Sequence, residues 1–470
     1  MDGYALSSSK TTLASPTNPL TFRVSGSIAA GDSPLTLEDD DSMTCYEIMT
    51  GAAFPLSTGY DACVRHEAVT YQPQAELEAG SSCSSFPRAR TITIHEPIPS
   101  RSNRKLAGED FRQGDVLARA GTIVTPGIVM VLSSTGIDRV QVEPERGTRM
   151  ARKQRLRIGI LTTGKEVANN HNLPTGSASP ATSSDEPGSA VIIPNLQKGH
   201  IFNSNAPYLV STLDCWGHDP VVIPAPTEDT PEAFQERLRA AVVDPSAPLD
   251  LIVTTGGVSA GKHDYVPSSV IDLGGRIVFH KTIIRPGFPV MFGEIPRNAL
   301  DKDDKVPIFG LPGNPIAVAA CLRFLVAAFL RESAGPSSTL PGVRVARLLS
   351  PDFSASRGGP HATAGCGVEK MPRNVTGQTE HRARYHKKPL MTRCFLPSRI
   401  HQRRPEGAVD MDGPGENIRG LNMLPWVEPL TRSASLTKAM SEANCWVVLP
   451  EGREVFEPGE IVEIVSMRPE

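Results

Sequence analysis

Several features that would assign the chain to a class of protein are absent. No apolar run approaches the roughly 20 residues that a membrane-spanning helix needs, so no membrane span is predicted. The first residues, MDGYALSSSK, lack the basic and apolar regions of a secretion signal. The eight cysteines form no CxxC pair and no metal-ligand spacing, which predicts reduced thiols and a cytoplasmic location. The P-loop and GxGxxG patterns are also missing, which argues against an ordinary NTPase or dinucleotide enzyme.

A strong net charge is missing as well. The formal charge is −3 at pH 7, from 48 basic and 51 acidic residues. No global field would therefore recruit nucleic acid or anionic lipid, and any anion site must be local. The basic cluster at 381–388 can be interpreted as a nucleic-acid patch or as a solvated loop. The solvated loop is favoured because no known nucleic-acid-binding module surrounds the cluster.

What is present is a long chain of ordinary globular composition. Its 470 residues are too many for one core, so about three domains are expected. Hydrophobic residues make up 39% and charged residues 21% of the chain, which is typical of a folded protein rather than a disordered one. The 42 prolines and 40 glycines indicate many turns and some loose insertions.

The first region, residues 1–155, predicts a β-rich N-terminal domain. Short β-like pieces alternate with turns at about 20–97. Residues at about 1–19 and 98–155 make up the remainder of this region, and 108–142 is expected to form a second small segment that packs elsewhere. Within this last part the sequence predicts a polar turn, a short strand pair and then a helix, which has Pro126 at its first position.

The second region, residues 156–335, alternates strands and helices. This order predicts a doubly wound, mostly parallel α/β domain. Thr230 and Pro231 mark the start of one clearly amphipathic helix. A Ser/Pro/Gly/Ala-rich stretch at 169–196 predicts a disordered insertion.

The third region, residues 341–470, predicts a small C-terminal β domain of barrel type. A strand near its start and a short helix with two strands near its end carry this prediction. Residues at about 354–422 are rich in Arg, His, Gly and Pro and are expected to form an irregular insertion.

Residues 249–264, LDLIVTTGGVSAGKHD, are the stretch around which a binding site is best sought. An apolar run ends at Thr254 and Thr255, and Gly256-Gly257 follow before a polar turn. This pattern predicts a buried parallel strand that ends in a glycine-rich loop. Ligands of open α/β sheets bind beyond the carboxyl ends of such strands. Taken alone, the stretch is better explained by a tight strand-to-helix turn.

Two further loops of the same kind strengthen the functional interpretation. One is TTGKE at 162–166, and the other is GLPGNP at 310–315. In the latter, Asn314 is a plausible N-cap and Pro315 lies at the first helical position, so free backbone N–H groups of that first turn are expected to face the loop. Three loops at the ends of three parallel strands would lie side by side, and one phosphate-bearing ligand could touch them all.

A carboxylate beside an anion-binding loop repels phosphate unless a divalent cation lies between them. Asp264 is therefore a candidate Mg²⁺ ligand, and the alternative is that it caps the helix that follows. The other acidic candidates are Glu166, Asp110, Glu67 and Asp2. Three basic residues could supply countercharge: Lys262, Lys281 and Arg285.

The motifs as a set resemble those of one family, the molybdopterin molybdenumtransferases (bacterial MoeA and the E domains of its plant and animal counterparts, including gephyrin). The resemblance covers about residues 1–335 and returns at 423–465. The motifs that carry it are MDGYA (1–5), MTGAAFPLSTGYDACVRHE (49–67), GEDFRQGDVLARAGT (108–122), ILTTGKEV (160–167), NSN (203–205), TTGGVSAGKHDYV (254–266), RPGFPVMFG (285–293) and LPGNPIAV (311–318).

The resemblance implies a reaction in molybdenum cofactor biosynthesis. Molybdate would be inserted into adenylated molybdopterin, with Mg²⁺-dependent release of AMP. It also implies a MogA/MoaB-like fold for the α/β domain, an elongated homodimer with an active site at the subunit interface, and a possible molybdopterin adenylyltransferase partner. No nucleic-acid partner is implied.

The resemblance also implies roles for individual residues. Asp264, Asp2, Asp110 and Thr50 would be catalytic, with Asp264 as the Mg²⁺ ligand, and three of them would approach across a cleft. Substrate would be bound by Thr163, Gly164, Glu166, Ser204, Asn205, Gly256, Gly257, Ser259, Lys262, Pro286, Gly287, Pro312, Gly313 and Asn314.

The chain departs from the family pattern at a few positions. Lys165 and Asn203 stand where carboxylates are usual, and Phe288 stands where a basic side chain or leucine is usual. Family members usually carry a longer segment before the MDGYA motif, so part of the first domain is expected to be missing. Two alternatives therefore remain open: a gephyrin-like scaffold that keeps the fold without full activity, and a generic nucleotide-binding module.

Overall fold

The computed structural model describes residues 2–37, 43–56, 59–73, 89–142, 155–168, 196–226, 230–259, 264–298, 301–333, 343–349, 393–401, 424–430, 437–450, 456 and 459–467. Within these residues the strands form three six-stranded sheets and one two-stranded sheet. The three large sheets follow one another along the chain, which confirms a multidomain protein of α/β and β domains.

The N-terminal domain is a six-stranded sheet with the order β4-β1-β3-β2-β6-β5. Its core includes Tyr4, Phe22 and Ile92, all nearly inaccessible to solvent. The strand β1 lies before the 20–97 range expected for this domain, because its backbone pairs with β3 and β4. The strands are β1 (Gly3–Leu6), β2 (Leu20–Ile28), β3 (Thr44–Ile48), β4 (Ala62–Arg65), β5 (Thr70–Pro73) and β6 (Ala89–Ile94), with 3-10 turns at Ser8–Thr11 and His66–Ala68.

The strand pair predicted after residue 108 is wrong. Residues 95–125 form turns and bends, with local backbone bonds such as Asp115 to Arg112 and Thr122 to Arg119. Val116 is 62% exposed, so the apolar residues here have no partner sheet to pack against. The predicted helix follows as α1 (Pro126–Ser134), where the Thr125 side chain accepts the first-turn N–H of Ile128.

The α/β domain is built on a sheet with the order β10-β7-β11-β15-β14-β12. The four strands from β10 to β15 in that order are parallel, and β14 runs antiparallel to both of its neighbours, β15 and β12. The strands are β7 (Arg157–Thr162), β8 (Val167–Ala168), β9 (Ile201–Phe202), β10 (Asp219–Val222), β11 (Leu251–Thr255), β12 (Arg276–His280), β13 (Ile284–Arg285), β14 (Met291–Asn298) and β15 (Asp301–Leu311). The short strands β8 and β9 pair with each other.

Helices cover both faces of this sheet, which confirms the doubly wound fold. Side chains of α2 and α5 pack with Val253 on one face, and those of α3 and α4 pack with Ile252 on the other. Every residue of β11 is buried, as predicted for a central strand. The helices are α2 (Asn205–Cys215), α3 (Pro231–Val243), α4 (Val266–Asp272), α5 (Pro315–Cys321) and α6 (Ala327–Ser333), with a π-helical segment at Leu322–Val326.

The C-terminal domain is a closed barrel, as predicted. Strand β17 pairs with both β18 and β19, so the order β17-β18-β16-β20-β19 returns to its start. Strand β13 of the α/β domain also joins this sheet by pairing with β17. The elements are β16 (Val343–Leu348), β17 (Arg393–His401), β18 (Trp426–Pro429), α7 (Ala439–Glu442), β19 (Cys445–Leu449) and β20 (Ile461–Ser466).

The prediction of irregular structure throughout 354–422 is wrong where β17 lies. This strand carries Phe395 and Ser398, both buried, and Leu396 and Ile400, which pack on the barrel core. The surrounding Arg- and His-rich residues obscure this short apolar pattern in the sequence. The rest of that range, the 381–388 cluster and residues 169–195 of the predicted insertion lie outside the described residues. Where the structure describes helices, none has the length and apolar character to span a membrane.

Candidate functional site

Three loops meet at one edge of the α/β sheet. Strand β11 lies between β7 and β15, and Thr255 is in register with Thr162 on one side and Leu311 on the other. Because the three strands are parallel and end at the same level, the loops that follow them begin side by side. This is the arrangement that the sequence predicts.

The loops are also bonded to one another. The backbone N–H and the hydroxyl of Thr163 both donate to the carbonyl of Thr255, at 3.0 Å each. The N–H of Gly256 donates to the carbonyl of Leu311 at 2.9 Å. A Cβ atom built on Gly313 would lie 3.7 Å from the Cα of Gly256. The first loop therefore contacts the second, and the second contacts the third.

The second loop depends on two glycines with left-handed backbone. Gly256 has φ of +84° and Gly257 has φ of +67°, a conformation that side-chain-bearing residues rarely adopt. A Cβ on Gly256 would lie 2.7 Å from the hydroxyl oxygen of Thr163. The carbonyl of Gly257 accepts the N–H of Val266 at 3.0 Å, which ties the loop to the start of α4.

The third loop leads into α5 with the predicted cap. The side-chain oxygen of Asn314 accepts the N–H groups of Ile316 at 3.0 Å and Ala317 at 3.2 Å, and Pro315 is at the first helical position. The N–H of Val318 donates to the Asn314 carbonyl. The expectation that free first-turn N–H groups face the loop is therefore wrong, because Asn314 binds them itself and Pro315 has none.

The start of α2 brings two asparagines to this edge. Asn203 is buried; its amide N–H₂ donates to the hydroxyl of Thr162 at 3.1 Å, and its oxygen accepts the N–H of Ala206 at 3.1 Å. Asn203 thus caps the start of α2 through its side-chain oxygen. Ser204 is buried at the cap position, and its side chain makes no capping bond.

Asn205 presents a buried acceptor beside the third loop. Its amide N–H₂ donates to the carbonyl of Gly313 at 2.8 Å. Its side-chain oxygen is buried and has no hydrogen-bond partner in the part of the chain that the structure describes. A buried acceptor without a partner costs about 1–3 kcal/mol. A ligand N–H group that reached this oxygen would remove that cost.

The first loop contacts the N-terminal domain. The ammonium of Lys165 lies 2.8 Å from a carboxylate oxygen of Asp32. A Cβ on Gly31 would lie 2.8 Å from the backbone nitrogen of Glu166. Gly164, with φ of +120°, leaves room for the Glu166 carboxylate. Lys165 therefore binds the neighbouring domain.

We expect Lys165→Glu to lower the free energy of unfolding by roughly 1 kcal/mol or less, because the ion pair with Asp32 is partly exposed and becomes a repulsion. Denaturant titrations at low and high salt measure the change, which should shrink as salt screens it. Lys165→Arg, which keeps the charge, is the matched control. A loss of equal size in both variants would contradict the ion-pair explanation.

Asp264 lies between the glycine-rich loop and α4. The residue at the cap position of α4 is Tyr265, whose side chain makes no capping bond, and Asp264 directly precedes it. Asp264 is half-buried and Ser259 is exposed, while Lys262 lies outside the described residues.

Pro286 and Gly287 lie where the α/β domain meets the barrel. They follow β13, the strand that pairs with β17 of the barrel, and the Arg285–Pro286 peptide bond is cis. The thiol of Cys321 contacts the Gly287 carbonyl at 3.8 Å. Burial raises the pKa of this thiol to about 12, so Cys321 is a packing residue and a poor nucleophile.

Asp2 and Thr50 are brought together within the N-terminal domain. One carboxylate oxygen of Asp2 accepts the N–H and the hydroxyl of Thr50, both at 2.9 Å. The next residue, Gly3, has no room for a side chain because a Cβ would lie 2.1 Å from the carbonyl oxygen of Val64. The pairing of two residues from separate sequence motifs agrees with a shared role for them.

Asp110 contacts the barrel rather than the three loops. Its carboxylate accepts hydrogen bonds from Thr437 and Lys438 at the start of α7, and from Lys105. Sequence reasoning missed Asp32, Thr437 and Lys438. Their contacts span 133 residues or more, and no local pattern marks them.

Comparison with known proteins gives three family models in chain order. The model described as "MoeA N-terminal region (domain I and II)" matches residues 1–136, "Probable molybdopterin binding domain" matches 159–332, and "MoeA C-terminal region (domain IV)" matches 416–467. Together they cover most of the chain and confirm the resemblance that the motifs indicate.

Individual relatives align along nearly the whole chain. A molybdopterin molybdenumtransferase of Synechococcus elongatus is 28% identical over 469 residues, covering 99% of this chain and 87% of the relative. The Bacillus subtilis protein of the same name is 25% identical, with 100% and 83% covered. A crystal structure of the MoeA protein from Pyrococcus horikosii is 22% identical and covers 99% of this chain and 86% of its own, with a TM-score of 0.41. The chain belongs to the molybdopterin molybdenumtransferase family, whose bacterial members include MoeA.

Proposed function

We propose that this chain inserts molybdate into adenylated molybdopterin and releases AMP in a Mg²⁺-dependent reaction. The observation that carries the proposal is the bonded set of three loops at the carboxyl edge of the α/β sheet, beside an Asn205 oxygen that has no hydrogen-bond partner among the described residues. Curated relatives named for the transferase activity support it.

The chemistry of the substrates fits the groups on these loops. Molybdate is a dianion and the adenylated pterin carries a phosphoanhydride, so both need donors that approach closely. Gly257 and Gly313 allow backbone N–H groups that close approach, whereas the N–H of Gly256 is donated to the Leu311 carbonyl. The oxygen of Asn205 would accept an N–H of the pterin. Water then attacks one phosphorus, and the bridging oxygen leaves with the other phosphate, so AMP and the pterin monophosphate separate.

Asp264 is the residue that we assign to Mg²⁺. In the described part of the chain, no three His, Cys, Asp or Glu side chains come together as a metal cage. A single carboxylate such as that of Asp264 suits Mg²⁺, which takes one or two carboxylates and completes its coordination with water and substrate phosphates. Bound there, the ion would offset the negative charge of the phosphoanhydride.

The assembly that we propose is a homodimer, and a molybdopterin adenylyltransferase would supply its adenylated substrate. The Asp2 carboxylate accepts hydrogen bonds from Thr50, and the Asp2 backbone carbonyl accepts the N–H of His66, all within the N-terminal domain. In the dimer this pair would serve the loops of the partner subunit. Sedimentation velocity tests the stoichiometry, and a fully active monomer would overturn the shared site.

The test of the function is turnover by purified protein. Adenylated molybdopterin, molybdate and Mg²⁺ are supplied together, AMP is quantified, and the product is used to reconstitute an apo-molybdoenzyme. We expect both readouts to require molybdate and Mg²⁺. AMP release at the same rate with and without molybdate would indicate a generic nucleotide-binding hydrolase. A well-folded protein without turnover would contradict the enzyme and favour a scaffold.

A further inference from the structure

We infer that Asp110 is a positioning residue, which fixes the C-terminal barrel against the segment that precedes α1. We call the set of Asp110, Thr437 and Lys438 the Asp110 clamp. The resemblance alone implied a catalytic role for Asp110 across a cleft, whereas its contacts point to a connection between domains.

Four donors converge on the Asp110 carboxylate. One oxygen accepts the hydroxyl of Thr437 at 2.8 Å, its N–H at 3.2 Å and the ammonium of Lys105 at 3.1 Å. The other oxygen accepts the N–H of Lys438 at 3.0 Å. Each carboxylate oxygen has about two acceptor positions, so these bonds fill the first oxygen and leave about one position on the second. The side chain is 18% exposed, so solvent competes weakly for these bonds.

The surroundings strengthen the same contact. The ammonium of Lys438 lies 3.3 Å from Asp115 and 5.9 Å from the centre of the Phe111 ring. Hydrogen bonds from the backbone of Arg112 and the side chain of Lys438 lower the pKa of Asp115, so its charge is retained at neutral pH. Nearby, α1 packs on α7 so closely that a Cβ on Gly127 would lie 2.2 Å from the Met440 carbonyl oxygen.

The clamp bears on the candidate site through the barrel. The barrel is attached to the α/β domain by the pairing of β13 with β17, and Pro286 and Gly287 follow β13 directly. A barrel that moves away from α1 would therefore pull on the loop that contains these two residues. This connection to catalysis rests on the proposed function, but the clamp itself does not.

Hydrogen–deuterium exchange tests the clamp without an activity assay. Asp110→Ala and Thr437→Val should each speed amide exchange in α7 by about tenfold or more, because each removes bonds to a charged group. The double variant should add little, since both changes break the same contact. The neighbouring exposed acid gives the control, Glu109→Ala, which should exchange like the parent. Unchanged α7 exchange in Asp110→Ala would overturn the inference.

Steady-state kinetics separates positioning from catalysis. For a positioning residue we expect Asp110→Ala and Thr437→Val to raise KM by similar factors of about 3–10 and to change kcat little. Asp110→Asn, which can still accept from Thr437, should recover most of the loss. A large fall in kcat for Asp110→Asn, with Thr437→Val unaffected, would instead identify Asp110 as catalytic. If the parent shows no turnover, the proposed function fails while the exchange result still decides the clamp.

Discussion

Asp264→Ala is expected to slow AMP release by about 100-fold or more, because removal of a group that stabilises charge at a reacting centre has effects of this order. The loss should come with a higher Mg²⁺ concentration at half-maximal rate, since Asp264 is the proposed protein ligand of the ion. The fold should be preserved, because the cap position of α4 is occupied by Tyr265 and Asp264 precedes it. The measurement is AMP release as a function of Mg²⁺ concentration.

The same helix provides the matched control for Asp264. Asp272 is exposed at the other end of α4, and Asp272→Ala also removes one negative charge. We expect this variant to match the parent in rate and in Mg²⁺ dependence. Equal behaviour of the two alanine variants would remove Asp264 from the proposed site. Circular dichroism and thermal unfolding show whether either variant has lost its structure.

Local sequence patterns were sufficient to predict helix starts. Thr125, Thr230 and Asn314 each precede a proline, and in each case the side chain accepts a first-turn N–H, as predicted for Thr230 and Asn314. The reason is that an N-cap and its helix lie within four residues of each other. The Asn314 cap also explains why the prediction about anion binding is wrong. Its side-chain oxygen accepts the first-turn N–H groups that were expected to face an anion.

Contacts between distant residues could not be predicted in this way. The sequence shows Lys165 as a departure from the family pattern, but the pairing of Lys165 with Asp32 depends on how two domains meet. The bonds between Asp110 and Thr437 join positions 327 residues apart. Strand β17 was missed for a related reason, since it is stabilised by two flanking strands that lie far along the chain. Such contacts leave no periodic pattern in the sequence.

The binding edge of the α/β sheet could be predicted from the sequence in part. The alternation of strands and helices predicts that the three loops are adjacent, and the register of β7, β11 and β15 confirms it. The atoms that bond the loops could not be predicted, because they depend on side-chain and backbone placement. Both Thr163 donors share the Thr255 carbonyl, and Gly256 reaches Leu311. The structure therefore identifies Gly256 as the central residue of the set.

Gly256→Ala is expected to lower the free energy of unfolding by about 2–3 kcal/mol and to abolish most turnover. An alanine with left-handed backbone costs about 1–2 kcal/mol. Its Cβ would also lie 2.7 Å from the hydroxyl oxygen of Thr163, and moving that hydroxyl breaks a bond worth about 1 kcal/mol. Because Gly256 bonds the second loop to the third, the shift should reach Gly313 and the amide of Asn205. Denaturant unfolding and AMP release measure the two effects.

Gly121→Ala isolates the backbone cost in that comparison. Gly121 has φ of +79°, and a Cβ there would meet nothing within 4 Å. This control should lose only the backbone cost of about 1–2 kcal/mol and keep its turnover. Adding Thr163→Ala to Gly256→Ala removes the clashing hydroxyl, so the double variant should be more stable than the sum of the single changes predicts. Rescue should be partial, because the Thr163 carbonyl would still lie 3.2 Å from the new Cβ. Equal losses in Gly256→Ala and Gly121→Ala would show that the loops tolerate a side chain between them.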